Sequence, residues 1–396
     1  MGTRRTLALA AGAGAAAVAA AAVARPALDR FALRTEARMN PVTPGPWAAP
    51  SDEALALHGT LRIADLHADS LLFGRDLLRR SAVGHVDVPR MQDGNVALQV
   101  FSMAVKTPRG LNIERNDDSS DDVLTLALAK RWPPATWRSL TARALHLAAS
   151  AERFEARSAG AFRLIRTRDD LARYLADRAA DPTLTAGLLS IEGAHALDGD
   201  PANVDVVFDA GIRMMSPSHF FDTAFGGSAH GVEQGGLTAM GRDMVAAMEA
   251  RGMVLDVAHS SAATIDDALA IAKRPLVASH TGVNGVCDNS RNLRDEHLAG
   301  IAATGGVVGI GFWETASGGK EPEWIARSIA YAVERIGAEH VGLGSDWDGA
   351  VEVPFDAAHT ALLTEQLLRV GLDAAAIRLV MGENVLRVLG EVLPEA

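Results

Sequence analysis

The stretch Met253-Val254-Leu255-Asp256-Val257-Ala258-His259-Ser260, with the segment after it and then Pro275-Leu276-Val277-Ala278-Ser279-His280, reads as one strand–helix–strand unit. Both outer runs are almost continuously apolar, which suits strands buried on both faces in a parallel sheet. Between them Thr264 is an expected N-cap for a helix carrying Ile265, Leu269 and Ile271. Each run also ends in a histidine. The same theme recurs outward in both directions. Leu61-Arg62-Ile63-Ala64-Asp65-Leu66-His67-Ala68-Asp69 and Gly187-Leu188-Leu189-Ser190-Ile191-Glu192-Gly193 are apolar runs that end in imidazole or carboxylate, and Val341-Gly342-Leu343-Gly344-Ser345-Asp346 is another. Gly306-Val307-Val308-Gly309-Ile310-Gly311-Phe312 repeats the pattern with no such residue.

The segments between the runs carry helical stripes. Met240, Met244, Val245 and Met248 share one face, and Gly252 stands where a C-terminal cap belongs. Ile325, Ile329, Val333 and Ile336 form a second stripe, closed by Gly337. Strand–helix alternation with short links predicts βαβ units. Polar residues at the C-terminal ends of several strands predict an α/β fold of the TIM-like (β/α)₈-barrel type. An open doubly wound sheet is the weaker alternative, because no G-x-G-x-x-G loop follows a strand. Residues 106–160 interrupt the alternation. Their acidic run Asp117-Asp118-Ser119-Ser120-Asp121-Asp122 reads as a solvated turn and helix start, and its spacing is poor for a calcium loop.

With 396 residues, 48% of them apolar and 22% charged, the chain can bury a large single core. Its net charge of −11 and the lack of a basic patch argue against nucleic acid as a partner. Cys287 is the only cysteine, so a disulfide framework and a multi-thiolate metal site are both excluded. Any metal must be held by histidines and carboxylates. Arg4 and Arg5, the alanine-rich run from Leu7 to Val23 and the small residues Ala22-Val23-Ala24 have the layout of a secretory signal, with a twin-arginine flavour. An uncleaved anchor making transient membrane contact is the alternative. The expected organisation is a signal at 1–24, an exposed linker at 25–55 and one barrel over 56–396. The destination is periplasmic or extracellular.

His67 and Asp69 lie two apart, so in a strand both point the same way and can reach one ion. Imidazole and carboxylate suit zinc and other divalent metals. Glu192 closes an apolar run, where an ionised carboxylate needs a partner. Either an arginine or a pair of metals would serve. His259 and His280 end neighbouring strands, about 4.8 Å apart in a parallel sheet, and can grip one ion together. Such a set leaves open positions for water, as catalytic sites do. Two metals a few ångströms apart can hold a bridging hydroxide and polarise a carbonyl. Asp346 is placed to move a proton from water to a leaving group. Asp348 competes with it, although the Gly349 turn favours a structural role.

In order along the chain, Asp65-Leu66-His67-Ala68-Asp69, Glu192-Gly193-Ala194-His195-Ala196-Leu197, Gly236-Leu237-Thr238 with Gly241-Arg242, His259-Ser260, Ser279-His280, Arg291-Asn292-Leu293, Gly344-Ser345-Asp346-Trp347-Asp348-Gly349 and Gly382-Glu383-Asn384 with Arg387 resemble the motifs of the membrane (renal) dipeptidase family of zinc peptidases. The likeness runs from about Ile63 to Leu389. It implies two zinc ions per chain, His67 and Asp69 on one, His259 and His280 on the other, and Glu192 bridging and catalytic. It further implies hydrolysis of a dipeptide with a free C-terminus by a metal-bridging hydroxide, with Asp346 as proton shuttle. Two residues enter only through the resemblance. His219 would contact the scissile carbonyl or its oxyanion, and Arg291 would hold the terminal carboxylate with its planar fork. The expected partner is a small peptide substrate, and a homodimer is compatible with the sequence. Ser218, Asp222 and Phe312-Trp313 depart from common family residues and bear on substrate preference. Hydrolysis of N-acyl amino acids or lactams at the same site is the alternative activity, and a non-catalytic binding protein is the rival of another class.

Overall fold

The computed structural model describes residues 30–395 except 31 and 44. The expected signal at 1–24 lies outside the described residues. Among the described residues nine strands form one parallel sheet: β1 (Ile63–Ala68), β2 (Val96–Phe101), β3 (Phe162–Leu164), β4 (Thr185–Ile191), β5 (Ile212–Met215), β6 (Val254–Leu255), β7 (Val277–Thr281), β8 (Val307–Ile310) and β9 (Val341–Leu343). Their order is β6-β5-β4-β2-β1-β9-β8-β7, with β3 paired to the side of β4. The two ends of that path meet. Asp256, just past β6, bridges in parallel to Val277 of β7, and Val257 N–H donates to the Val277 carbonyl at 2.8 Å. An eight-stranded ring results, curled as expected of a (β/α)₈ barrel, with β3 an addition outside it.

The helical stripes fold as their spacing predicts. Ala239–Arg251 ends on Gly252 in the left-handed region (φ 69°), and Pro322–Ile336 ends on Gly337. The acidic run opens the helix Asp122–Ala129, where the Asp121 carboxylate accepts from Leu124 N–H at 3.0 Å. One detail differs. The helix Ala262–Ile271 is capped by Ser261, whose hydroxyl accepts from Thr264 N–H at 3.0 Å. Thr264 sits inside the first turn, and its own hydroxyl donates to the carbonyls of Gly227 and Gly235. β2 and β5 carry no imidazole or carboxylate at their ends, and Arg213 breaks the apolar run of β5, so neither stood out in the sequence.

The C-terminal helix Asn384–Val392 closes the barrel at the N-terminal ends of the strands. Asn384 Nδ2 donates to the Val341 carbonyl, Arg387 to that of Gly305, and Arg274 to that of Val392. Val385, Leu386 and Leu389 pack in one cluster with Leu66, Val100, Leu188, Met214, Val254, Val277 and Val307. Seven strands thus share this plug. Truncating Leu389, 1% exposed, to alanine should cost about 2–5 kcal/mol. Denaturant unfolding would measure that loss, and metal content should stay at the wild-type level.

The expected linker at 25–55 is, in its described part, not an exposed connector. Residues 32–39 are helical, and Glu36 and Asn40 are buried. Asp52–His58 is also a helix, with its N-cap Ser51 held by Glu365. The cause is long-range pairing: Glu36 finds Arg75, and Val42 bridges to Val353. No helix among the described residues is long and apolar enough to cross a membrane.

Candidate metal centre

The polar residues that end the apolar runs gather at the C-terminal mouth of the ring. His67 lies in β1 and Asp69 just beyond it, where Asp69 N–H donates to the Trp347 carbonyl at 2.9 Å. Glu192 follows β4 directly. Gly193, at φ 94°, then turns the chain away. A Cβ there would come within 2.4 Å of the His195 ring, so only glycine fits. His219 stands in the loop after β5, His259 after β6, His280 within β7, Arg291 after β7 and Asp346 after β9. All eight are buried. His259 and Asp346 adopt left-handed backbone (φ 61° and 59°), a strain that such sites commonly hold.

Glu192 is the hub. Its Oε1 lies 3.1 Å from His259 Nε2, 3.3 Å from His280 Nε2 and 3.7 Å from His67 Nε2, and its Oε2 lies 3.1 Å from His219 Nε2. The arginine reading of this carboxylate is therefore not what the fold provides: imidazoles surround it. His67 Nε2 is also 3.5 Å from Asp69 and 3.8 Å from Asp346. Three groups have ligand atoms within 4.8 Å of one another: His67–Glu192–His280, Glu192–His219–His259 and His67–Asp69–Asp346. His219 and Asp346, which the resemblance makes substrate residues, thus stand as near as the expected ligands.

Divalent cations fit this set. Both ring nitrogens of His67 and Oδ1 of Asp69 are buried without a hydrogen-bond partner. His259 Nε2 and His280 Nε2 face each other at 2.8 Å beside one carboxylate oxygen. The tautomer of His280 is fixed from behind. Ser279 Oγ donates to Asp256 Oδ2 at 2.6 Å and so accepts from His280 Nδ1 at 2.9 Å, leaving Nε2 as a bare lone pair for an ion. Asp256 is absent from the motifs read in the sequence, where Ser279 enters only beside His280. The signal was there, since an aspartate inside an apolar run needs a partner as Glu192 does. Asp65 is a second buried carboxylate beneath the site, accepting from Gln99 Nε2 at 2.6 Å, from Ser345 N–H at 2.8 Å and from the backbone N–H of His67 at 3.1 Å. Asp348 is structural, as the Gly349 turn suggested. It accepts from Ser70 Oγ, Arg75 Nη2 and the His85 N–H.

The electrostatics call for positive charge. Burial, and then the neighbouring Asp69 and Asp346 carboxylates, push Glu192 well above the usual range, although His67 opposes the shift. Burial likewise raises Asp346 to about 8. Burial disfavours charge on His67, but Glu192 and Asp69 outweigh it and lift this imidazole to about 10. Burial holds His219, His259 and His280 well below their ordinary value, which keeps them neutral and able to ligate. For the metal-free chain the sign follows. The raised Asp346 contributes stability that is lost as pH rises toward 8, and the raised His67 contributes stability that is lost between 6.5 and about 10. The depressed histidines act only below 6.5. Between pH 6.5 and 8.5 the melting temperature of the metal-stripped protein should fall relative to the metal-loaded protein. A gap that narrows over that window would contradict the assignment.

The centre opens into a cleft of about 590 Å³ lined by Leu72, Phe73, Ile113, Phe220, His230 and Trp313 among others. Arg291 lies at its wall, 5.7 Å over the Trp313 ring, with its Nη2 donating to the His280 carbonyl. Among the described residues no carboxylate forms an ion pair with it.

Residues 51–394 match the family model described as Membrane dipeptidase (Peptidase family M19). The dipeptidase verJ of Clonostachys rogersoniana is 33% identical over 214 residues, 52% of this chain and 55% of that protein, so the chain spans about half the length of this curated relative. Among solved structures, the dipeptidase AC, a metallopeptidase of the same family, is 25% identical with a TM-score of 0.68, covering 84% of this chain and 99% of that one. A metallopeptidase from Rhodobacter sphaeroides, liganded with a phosphinate mimic of the dipeptide L-Ala-D-Ala, gives the same identity, TM-score and coverage.

Proposed function

From the premise that the chain belongs to the membrane dipeptidase family, a family of metal-dependent peptidases, we propose that it hydrolyses dipeptides at a site holding two zinc ions. The observation that carries this reading is Glu192, one carboxylate with four imidazoles at 3.1–3.7 Å, three of them converging on a single oxygen. His67 and Asp69 would hold one ion and His259 and His280 the other, with Glu192 between them. Bound there, zinc supplies Lewis acidity that polarises a carbonyl and lowers the pKa of water.

The protein's own groups do the rest. Arg291 binds the substrate's terminal carboxylate with its planar fork. Its position beside Trp313 leaves the guanidinium facing the cleft. His219, neutral and with Nε2 toward the centre of the site, donates to the scissile carbonyl oxygen as negative charge develops there. Asp346 accepts a proton from the attacking water and returns it to the leaving amine. The mostly apolar cleft wall admits a short peptide, which strengthens each of these contacts as it displaces water. The phosphinate dipeptide mimic bound by the Rhodobacter sphaeroides relative supports the substrate class.

A panel of free L,L and L,D dipeptides beside their N-acetylated copies tests this. Turnover of free dipeptides is expected. Turnover of N-blocked amino acids alone would transfer the site to the alternative activity. Arg291→Lys should raise KM about tenfold or more with a smaller change in kcat, since a point charge replaces a bidentate contact. Loss of kcat at unchanged KM would place Arg291 elsewhere in the reaction. Export belongs to the same proposal, on the strength of Arg4-Arg5 and the apolar run to Val23. N-terminal sequencing of the periplasmic and extracellular fractions tests it, and full-length protein confined to the cytoplasm would contradict it.

A further inference from the structure

The family match begins at residue 51. The segment before it nevertheless reaches the catalytic mouth. Glu36, 1% exposed, forms an ion pair with Arg75, and Arg75 Nη2 lies 2.5 Å from Asp348 Oδ2. Asn40 Oδ1 accepts from Ala350 N–H at 2.8 Å. Thr43 N–H donates to the Val353 carbonyl at 2.8 Å, and Val353 N–H donates back to that of Pro41 at 3.1 Å. Thr43 Oγ1 donates to Glu352 at 2.9 Å and Trp47 Nε1 to the Pro354 carbonyl at 3.0 Å. All these partners except Arg75 lie on the loop after β9, the loop that carries Asp346.

That loop needs restraint. Asp346, Asp348 and Ala350 all adopt left-handed backbone, at φ 59°, 63° and 64°. Such backbone is strained for a residue with a Cβ and persists only where the surroundings over-determine it. Asp348 is gripped from one side by Ser70, His85 and Val86. The segment 36–43 supplies the grip from the other side. Met39 of the same segment lines the cleft together with Asp346, Ala350 and Val351.

We propose that residues 36–43 are a positioning strap of the active site. Glu36, acting through Arg75 and Asp348, and Asn40, acting through Ala350, hold the loop that aims Asp346. Met39 contributes a wall that selects the substrate's side chain. The second half rests on the dipeptide reading; the first does not.

Hydrogen exchange of the 346–353 amides in the full-length protein, measured for wild type, Asn40→Ala and Glu36→Gln, tests the first half without any substrate. Faster exchange in that loop, with distant segments unchanged, is expected. With a dipeptide substrate, kcat should drop about tenfold to a hundredfold, the scale for misplacing a catalytic group by an ångström, while KM and metal content hold. Asn40→Ala removes one hydrogen bond only, so it reports even if Glu36→Gln fails to fold. Wild-type exchange and wild-type kcat in Asn40→Ala would overturn the strap. For Met39→Ala, KM should rise more for dipeptides with large apolar side chains than for Ala-Ala, at constant kcat. An equal effect on both substrates would overturn the wall. If the wild type turns over no dipeptide, the functional reading fails, and the exchange experiment still decides the strap.

Discussion

Glu192→Gln should lose metal and activity together. The substitution keeps the side chain's size and one acceptor oxygen but removes the charge on which four imidazoles converge. Removing one partner of a buried charged cluster costs about 3–5 kcal/mol. At about 1.4 kcal/mol per tenfold, that is a loss of roughly a hundredfold to several thousandfold in cation affinity. Nothing nearby can replace it, because Asp69 and Asp346 stand on the His67 side of the site. Metal analysis after dialysis, and hydrolysis of a dipeptide by the same preparation, check the expectation. A variant that keeps its full metal complement would show that Glu192 is not shared between the ions.

Asp346→Asn should separate the two properties. His67, Asp69 and Glu192 remain to hold metal, so metal content is expected to stay near the wild-type value. Proton transfer by a placed side chain contributes about 10²–10⁴-fold, and kcat should fall by that much. The acid limb of the pH–rate profile should vanish with it, since the group that must be ionised is gone. Metal lost in proportion to activity would instead make Asp346 a ligand, a role that its 3.8 Å approach to His67 makes worth testing.

The candidate ligands were legible in the sequence for a physical reason. A strand buried on both faces cannot carry an imidazole or carboxylate without a use for it, so His67, Glu192, His259 and His280 stood out against their apolar runs. The barrel was legible in the same way, from strands that alternate with striped helices. What the local sequence pattern hides lies in contacts between distant segments. Asp256 reaches Ser279 only because β6 and β7 meet in the closed ring. Glu36 reaches Arg75 and, through it, Asp348 across most of the chain, and the proline-rich sequence after Asn40 gives no sign of such pairing. His219 and Arg291 lie in loops after strands, where nothing in their local pattern separates a substrate contact from a surface residue. The resemblance alone pointed to them.

The stoichiometry of activation tests the two-zinc centre most directly. Metal-stripped protein should be titrated with zinc while hydrolysis of a free dipeptide is followed. Activity should be absent at the start, rise with added zinc and saturate at two equivalents per chain. Full activity in the stripped protein, or a plateau with no hydrolysis after both equivalents are bound, would contradict the central claim.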